Sequence, residues 1–197
     1  MSEPVKILAF AGSLRHDSYN KRLAACGAAA ARAAGAVVNL IDLADFPLPL
    51  FDEDLETAQG APEPALRLKR LFLEHDALLI ASPEYNSSIT AVLKNALDWV
   101  SRAAPGEPPL ACFVGKTAAL LAASPGALGG LRGLVHLRSI LGNIQVVVLP
   151  QQLAVSAAHQ AFAPDGTLKD ERLQATVRNI AEKLVDATAR WKAPRGA

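Results

Sequence analysis

The chain has 197 residues, 51% of them hydrophobic, a mean hydropathy of +0.20 and a formal net charge of +1. That apolar content excludes a disordered chain, and basic residues spread evenly along the sequence leave no footprint for nucleic acid or an anionic membrane surface. The length suits one domain over residues 1–197. Cys26 and Cys112 are far apart and lack Cys-x-x-Cys spacing, so they read as core or incidental thiols. No apolar run reaches the roughly 18 residues of a membrane span, and Met1-Ser2-Glu3-Pro4 lacks the basic region of a signal peptide. A cytoplasmic setting is the expectation.

Residues 5–10 (Val-Lys-Ile-Leu-Ala-Phe) read as a strand buried on both faces, and residues 21–34, dense in alanine, as a helix. Gly35 stops that helix, and residues 36–43 form a second strand. Residues 44–64 carry Pro47, Pro49, Pro62 and Pro64 together with Asp45, Asp52, Glu53, Asp54 and Glu56, which predicts a long loop outside the core. An amphipathic helix over 65–74, a strand over 76–81, a loop over 82–88 and a helix over 89–102 follow. After a linker at 105–109 come a strand over 117–123, a loop over 124–130 and a helix over 131–141 stopped by Gly142 and Asn143. Residues 144–149 read as the fifth strand and 170–191 as the closing helix, with Leu173, Val177, Ile180, Leu184 and Ala187 on one stripe. Five strands alternating with five helices predict an α/β fold, a doubly wound five-stranded parallel sheet in three α/β/α layers.

Ligands of such sheets bind beyond the carboxyl ends of the strands. Three loops have that address. The first, Gly12-Ser13-Leu14-Arg15-His16-Asp17-Ser18-Tyr19-Asn20, joins a buried strand to a helix N-terminus, a ready anion site. Ser13 and Ser18 offer hydroxyls, Asn20 an amide and Arg15 a planar fork suited to phosphate oxygens. Helix capping by Ser18 or Asn20 is the plain alternative. The loop is neither a Walker A nor a G-x-G-x-x-G, so it suits a phosphate monoester. In the second, Pro83-Glu84-Tyr85-Asn86 combines a rigid turn, an aromatic face and polar groups. In the third, Ser124-Pro125-Gly126 precedes Gly129-Gly130, glycines that permit close approach to a flat ring or simply turn the chain. Together the loops suit a planar heterocycle bearing a phosphate.

These motifs, with Lys94-Asn95-Ala96-Leu97-Asp98-Trp99, resemble the NADPH-dependent FMN reductase family over about positions 5 to 150. The resemblance implies a flavodoxin-like fold and FMN, its phosphate held by Ser13, Arg15, Ser18 and Asn20. It places the isoalloxazine against Pro83, Glu84, Tyr85 and Asn86 and against Ser124 and Gly126. It further implies NADPH or NADH as co-substrate and a homodimer or homotetramer, with the helix after the Pro-Glu-Tyr-Asn turn near the subunit contacts. Val135 stands where the chromate and quinone reductase branch often carries a tyrosine.

The implied reaction is a ping-pong oxidoreduction in which the nicotinamide gives hydride to flavin N5 and a small acceptor then takes the electrons: a quinone, azo dye, metal oxyanion or free flavin. No catalytic side chain is assigned, and His16, His75, His136 and His159 lack metal-ligand spacing. Arg132 is a candidate partner for a 2′-phosphate, an ordinary place on the helix face being its other reading. A flavodoxin-type electron carrier is the alternative function, disfavoured because such carriers are typically strongly acidic. A flavin-free interaction module is a third.

Overall fold

The computed structural model of the protein describes residues 3–192. Strands β1 (Lys6–Ala11), β2 (Val37–Ile41), β3 (Ala77–Ala81), β4 (Thr117–Ala123) and β5 (Val147–Val155) pair in parallel in the order β2-β1-β3-β4-β5. This is the flavodoxin-like doubly wound order, whose direction reverses between β1 and β3. Alternation along β1 sends Ile7, Ala9 and Ala11 to one face and Leu8 and Phe10 to the other, and both faces are covered. That is why the central strands are apolar without interruption.

Helices α1 (Tyr19–Ala33) and α7 (Glu171–Lys192) cover the first face, and α3 (Glu63–Glu74), α4 (Ala91–Ser101) and α5 (Leu131–Asn143) cover the second. The buried stripe of α1 is made of Ala24, Gly27, Ala28 and Ala31 around Leu23, so its backbone lies close to the sheet. A Cβ on Gly27 would stand 2.9 Å from Leu79 Cδ2. On the other face Phe10, Phe72 and Phe113 form a chain of tilted contacts with centroids 5.8 and 5.6 Å apart. Each ring buried this way contributes about 1.5–3 kcal/mol.

Three expectations are corrected. The fifth strand is not 144–149: it begins at Val147 and runs to Val155, across Pro150. Its register jumps between Ala118 and Leu120 of β4, which pair with Val148 and Gln152, so a bulge absorbs the proline that reads as a stop. The helix before it continues through Gly142 and Asn143, and the chain turns instead at Gln145, at φ 70°. Residues 44–64 hold a 3-10 turn (Leu43–Asp45) and a helix α2 (Glu53–Gln59), whose N-terminus Asp52 caps by accepting from the Asp54 and Leu55 amides. With α6 (Ala158–Ala161), the described residues carry seven α-helices rather than five.

Helix α2 buries no residue, in keeping with a segment outside the core, yet the segment is fastened. Pro49 O accepts from Asn95 Nδ2 and Trp99 Nε1, both at 2.8 Å, and Phe51 packs edge-on against Trp99. Among the described residues no helix is long and apolar enough to cross a membrane.

Candidate functional site

The loop after β1 is held at its root. Gly12 N donates to Ala81 O at 2.9 Å, and Gly12 O accepts from Thr90 Oγ1, the N-cap of α4, at 2.7 Å. A Cβ on Gly12 would meet Leu93 at 3.0 Å, so glycine eases the close passage of α4. Beyond this root the chain crosses to α1. Ser18 caps the helix by accepting from Asn20 N at 3.2 Å, and Ser13 Oγ accepts from Arg15 N at 3.3 Å. Each hydroxyl is used as an acceptor, which leaves its own proton to donate. The Arg15 side chain is exposed, and its guanidinium has no partner among the described residues. The first turn of α1 carries no acidic side chain, so the positive end of the helix is left for an outside anion.

Asn20 behaves differently from its expected role. Its Nδ2 donates to Ala123 O at 2.8 Å and its Oδ1 accepts from Ala123 N at 2.9 Å, which staples α1 to the end of β4. The side chain lines the site, but its oxygen and one amide hydrogen are committed to the frame. Positioning is its first task.

Residues 85–88 form a tight turn in which Tyr85 N donates to Ser88 O at 2.9 Å and Ser88 N returns a bond at 3.1 Å. Asn86 and Ser87 sit at φ 50° and 67°, both left-handed, as a type I′ turn demands. Tyr85 is exposed and Pro83 buried. Glu84, expected among the cofactor contacts, commits its carboxylate to the start of α5. There it accepts from the backbone N–H groups of Arg132 at 2.9 Å and Gly133 at 3.1 Å and pairs with the Arg132 guanidinium at 2.5 Å. Desolvation raises the Glu84 pKa, but the bonds from Gly133 and Arg132 outweigh it and hold the carboxyl below its ordinary value.

In the third loop Ser124 Oγ accepts from Gly126 N at 3.2 Å, and a Cβ on Gly126 would stand 3.6 Å from that same oxygen, an ordinary contact. Gly129 and Gly130, expected to admit a flat ring, have another reason. They sit at φ 62° and 96°, and Cβ atoms there would stand 2.7 Å from the Val155 carbonyl carbon and 2.8 Å from Ala122 Cβ. Their smallness serves packing on β5 and β4.

The three loops meet. Ser13, Arg15, Ser18 and Asn20 from the first, Pro83, Glu84 and Tyr85 from the second and Ser124 from the third line one cleft of about 110 Å³ at the carboxyl ends of β1, β3 and β4. Asn86 and Gly126 lie outside that lining, on the same two loops. The donor set fits a phosphate monoester: an exposed guanidinium without a protein partner among the described residues, two hydroxyl protons and an unneutralised helix start in a small polar cleft. Sequence reasoning missed Thr90, Gly133 and His136. Thr90, inside the helix predicted over 89–102, is a residue type that favours a helix N-cap and in fact caps α4 at its observed start, Ala91. The thiols stand apart from the cleft: burial pushes Cys112 up to about 11 and raises Cys26.

A profile of the family described as NADPH-dependent FMN reductase matches residues 5–160. The chain belongs to that family. It is 39% identical to an NAD(P)H-dependent FMN reductase of Pseudomonas aeruginosa, with 97% of each chain covered. It is 36% identical to a quinone reductase of Escherichia coli over 149 residues, 76% of each. Among solved structures it superimposes on FerB, a flavoenzyme NAD(P)H:(acceptor) oxidoreductase from Paracoccus denitrificans, with TM-score 0.81 at 29% identity, covering 94% of this chain and 98% of that one. The protein is therefore an NAD(P)H-dependent flavoenzyme, an oxidoreductase whose cofactor is FMN.

Proposed function

We propose that the protein oxidises NADPH or NADH and reduces a small acceptor such as a quinone, azo dye, metal oxyanion or free flavin. When bound, FMN would supply the redox chemistry: a hydride-accepting N5 facing the nicotinamide and a store of two electrons for the acceptor, the requirements of a ping-pong cycle. The observation that carries this reading is the unpartnered Arg15 guanidinium standing with the Ser13 and Ser18 hydroxyls in one cleft with Pro83, Tyr85 and Ser124. Arg15 and the two serines bind the phosphate, helped by the start of α1. Asn20 holds that loop to β4. Pro83, Tyr85 and Asn86 on one side and Ser124 and Gly126 on the other orient the ring. Glu84 serves the same end from behind the turn. No side chain is assigned a bond-making role.

The same reading includes a homodimer or homotetramer with α4 near the contact, and a cytoplasmic setting in which Cys26 and Cys112 stay as free thiols. The test is the visible spectrum of the purified chain, taken before and after addition of FMN and then of NADPH without oxygen. Two flavin bands that bleach with NADPH are the expected result. Bands that persist would favour the flavodoxin-type carrier, and failure to take up FMN would remove the three-loop site.

A further inference from the structure

The turn at residues 85–88 is gripped at both ends by one face of α5. At its entry Glu84 Oε1 accepts from Arg132 Nε at 2.7 Å and Oε2 from two backbone N–H groups. At its exit Ser88 Oγ and His136 Nδ1 are 2.9 Å apart. Arg132 and His136 are four residues apart on the helix and so face the same way. Between them Gly133 lets the turn lie flat on the helix: a Cβ there would come within 3.3 Å of both Glu84 Cβ and Ser88 O.

We propose that Arg132, Gly133 and His136 are positioning residues for hydride transfer, holding in place the turn that presents Tyr85 and Asn86 to the flavin ring. The inference rests on the flavin reading above. Three observations drive it. The turn holds two successive non-glycine residues in left-handed conformation, which persists only where the surroundings over-determine it. The clamp sets two guanidinium nitrogens on one oxygen of a carboxylate and the start of a helix on the other, far more than a surface connection needs. Finally, the Tyr85 side chain stays exposed while Glu84 before it and Ser88 after it are anchored, so the fixed element presents a free face to whatever occupies the cleft.

The clamp also commits Arg132. Its guanidinium and the N–H groups at the start of α5 are neutralised by Glu84, so neither serves as a free site for a 2′-phosphate. The phosphate of FMN is held by a different loop, and this separates retention of the cofactor from orientation of its ring.

The experiment compares the wild-type chain with Glu84→Gln, Arg132→Met, Arg132→Lys and His136→Leu. FMN affinity is read by fluorescence titration, the bleaching rate with NADPH by anaerobic stopped flow, ring environment by visible circular dichroism, and stability by thermal melting. Glu84→Gln and Arg132→Met should keep FMN affinity within about threefold while bleaching slows about tenfold to a hundredfold, the scale of a misplaced reacting pair. Their flavin circular dichroism should change, and Arg132→Lys should recover part of the rate. His136→Leu sits at an exposed helix position that tolerates the change, and should slow bleaching to a smaller extent.

Bleaching within twofold of wild type in Glu84→Gln and His136→Leu would overturn the proposal. A parallel fall of affinity, rate and melting temperature would also overturn it, since that marks a structural contact only. A wild-type chain that took up no FMN would overturn the flavin reading and this inference with it.

Discussion

At the amino-terminal end of the sheet, Lys69 meets Glu107 at 2.5 Å and the Arg102 carbonyl at 2.6 Å, and Lys116 donates to the His75 carbonyl. Lys192 reaches Asp76 at 2.7 Å, and the Thr117 and Thr188 hydroxyls lie 2.6 Å apart. At the carboxyl end, Arg15 and the hydroxyl protons of Ser13 and Ser18 have no acceptor among the described residues. Both ends are rich in polar groups, but among the described residues it is the carboxyl end that leaves a whole guanidinium and two hydroxyl protons without an acceptor. The difference teaches that polar residues near a sheet edge signal a ligand only where the fold leaves them unsatisfied. A buried polar group without a partner costs stability, so groups needed only by the fold find one.

The comparison is sharpest at Asn20, a carboxyl-end residue that the fold has claimed. Asn20→Ala strips both bonds from the buried Ala123 backbone and should cost about 3 kcal/mol of stability in urea unfolding. A variant of unchanged stability that no longer bound FMN would move Asn20 into the company of Arg15. Next in size, Arg15→Ala should weaken FMN binding by about 1.5–3 kcal/mol, the scale of a hydrogen bond to a charged group. Its melting temperature should stay put, since no protein contact is lost. Unchanged FMN affinity would mean that the carboxyl end holds nothing in reserve. Smallest is Thr188→Val at the opposite end, where the Thr117 hydroxyl would lose its partner: about 1–2 kcal/mol of stability should go, with FMN affinity intact. Loss of FMN binding there would break the separation of the two ends.

Much of this was legible in the residues because β1, β3 and β4 are covered on both faces and therefore continuously apolar. The strand order then put three polar loops at one edge. What stayed hidden were partners distant in the chain. Asn20 and Ala123 are 103 positions apart, and Glu84 and Arg132 are 48 apart. The residue types announced hydrogen bonding without saying to what. Gly129 and Gly130 misled for a related reason: the neighbour that crowds out a side chain is the backbone of β5 in one case and the Ala122 side chain of β4 in the other, not a ligand. Fifth-strand limits were misread because Pro150 and two glutamines look like an exit from the sheet, and a bulge that tolerates them leaves no local mark. By contrast, α2 was announced by Asp52 followed by Glu53, Asp54 and Glu56, an acidic start that suits a helix N-terminus, and was overlooked amid the prolines.

The bulge in β5 has a consequence beyond register. Since β5 is an outermost strand, its free side would otherwise offer a straight row of donors and acceptors to any extended chain. Pro150 has no N–H to donate and the register of β5 shifts beside it, two features that work against a continuous ladder for a foreign strand. The irregularity that obscured the strand in the sequence therefore guards the folded protein against edge-to-edge aggregation.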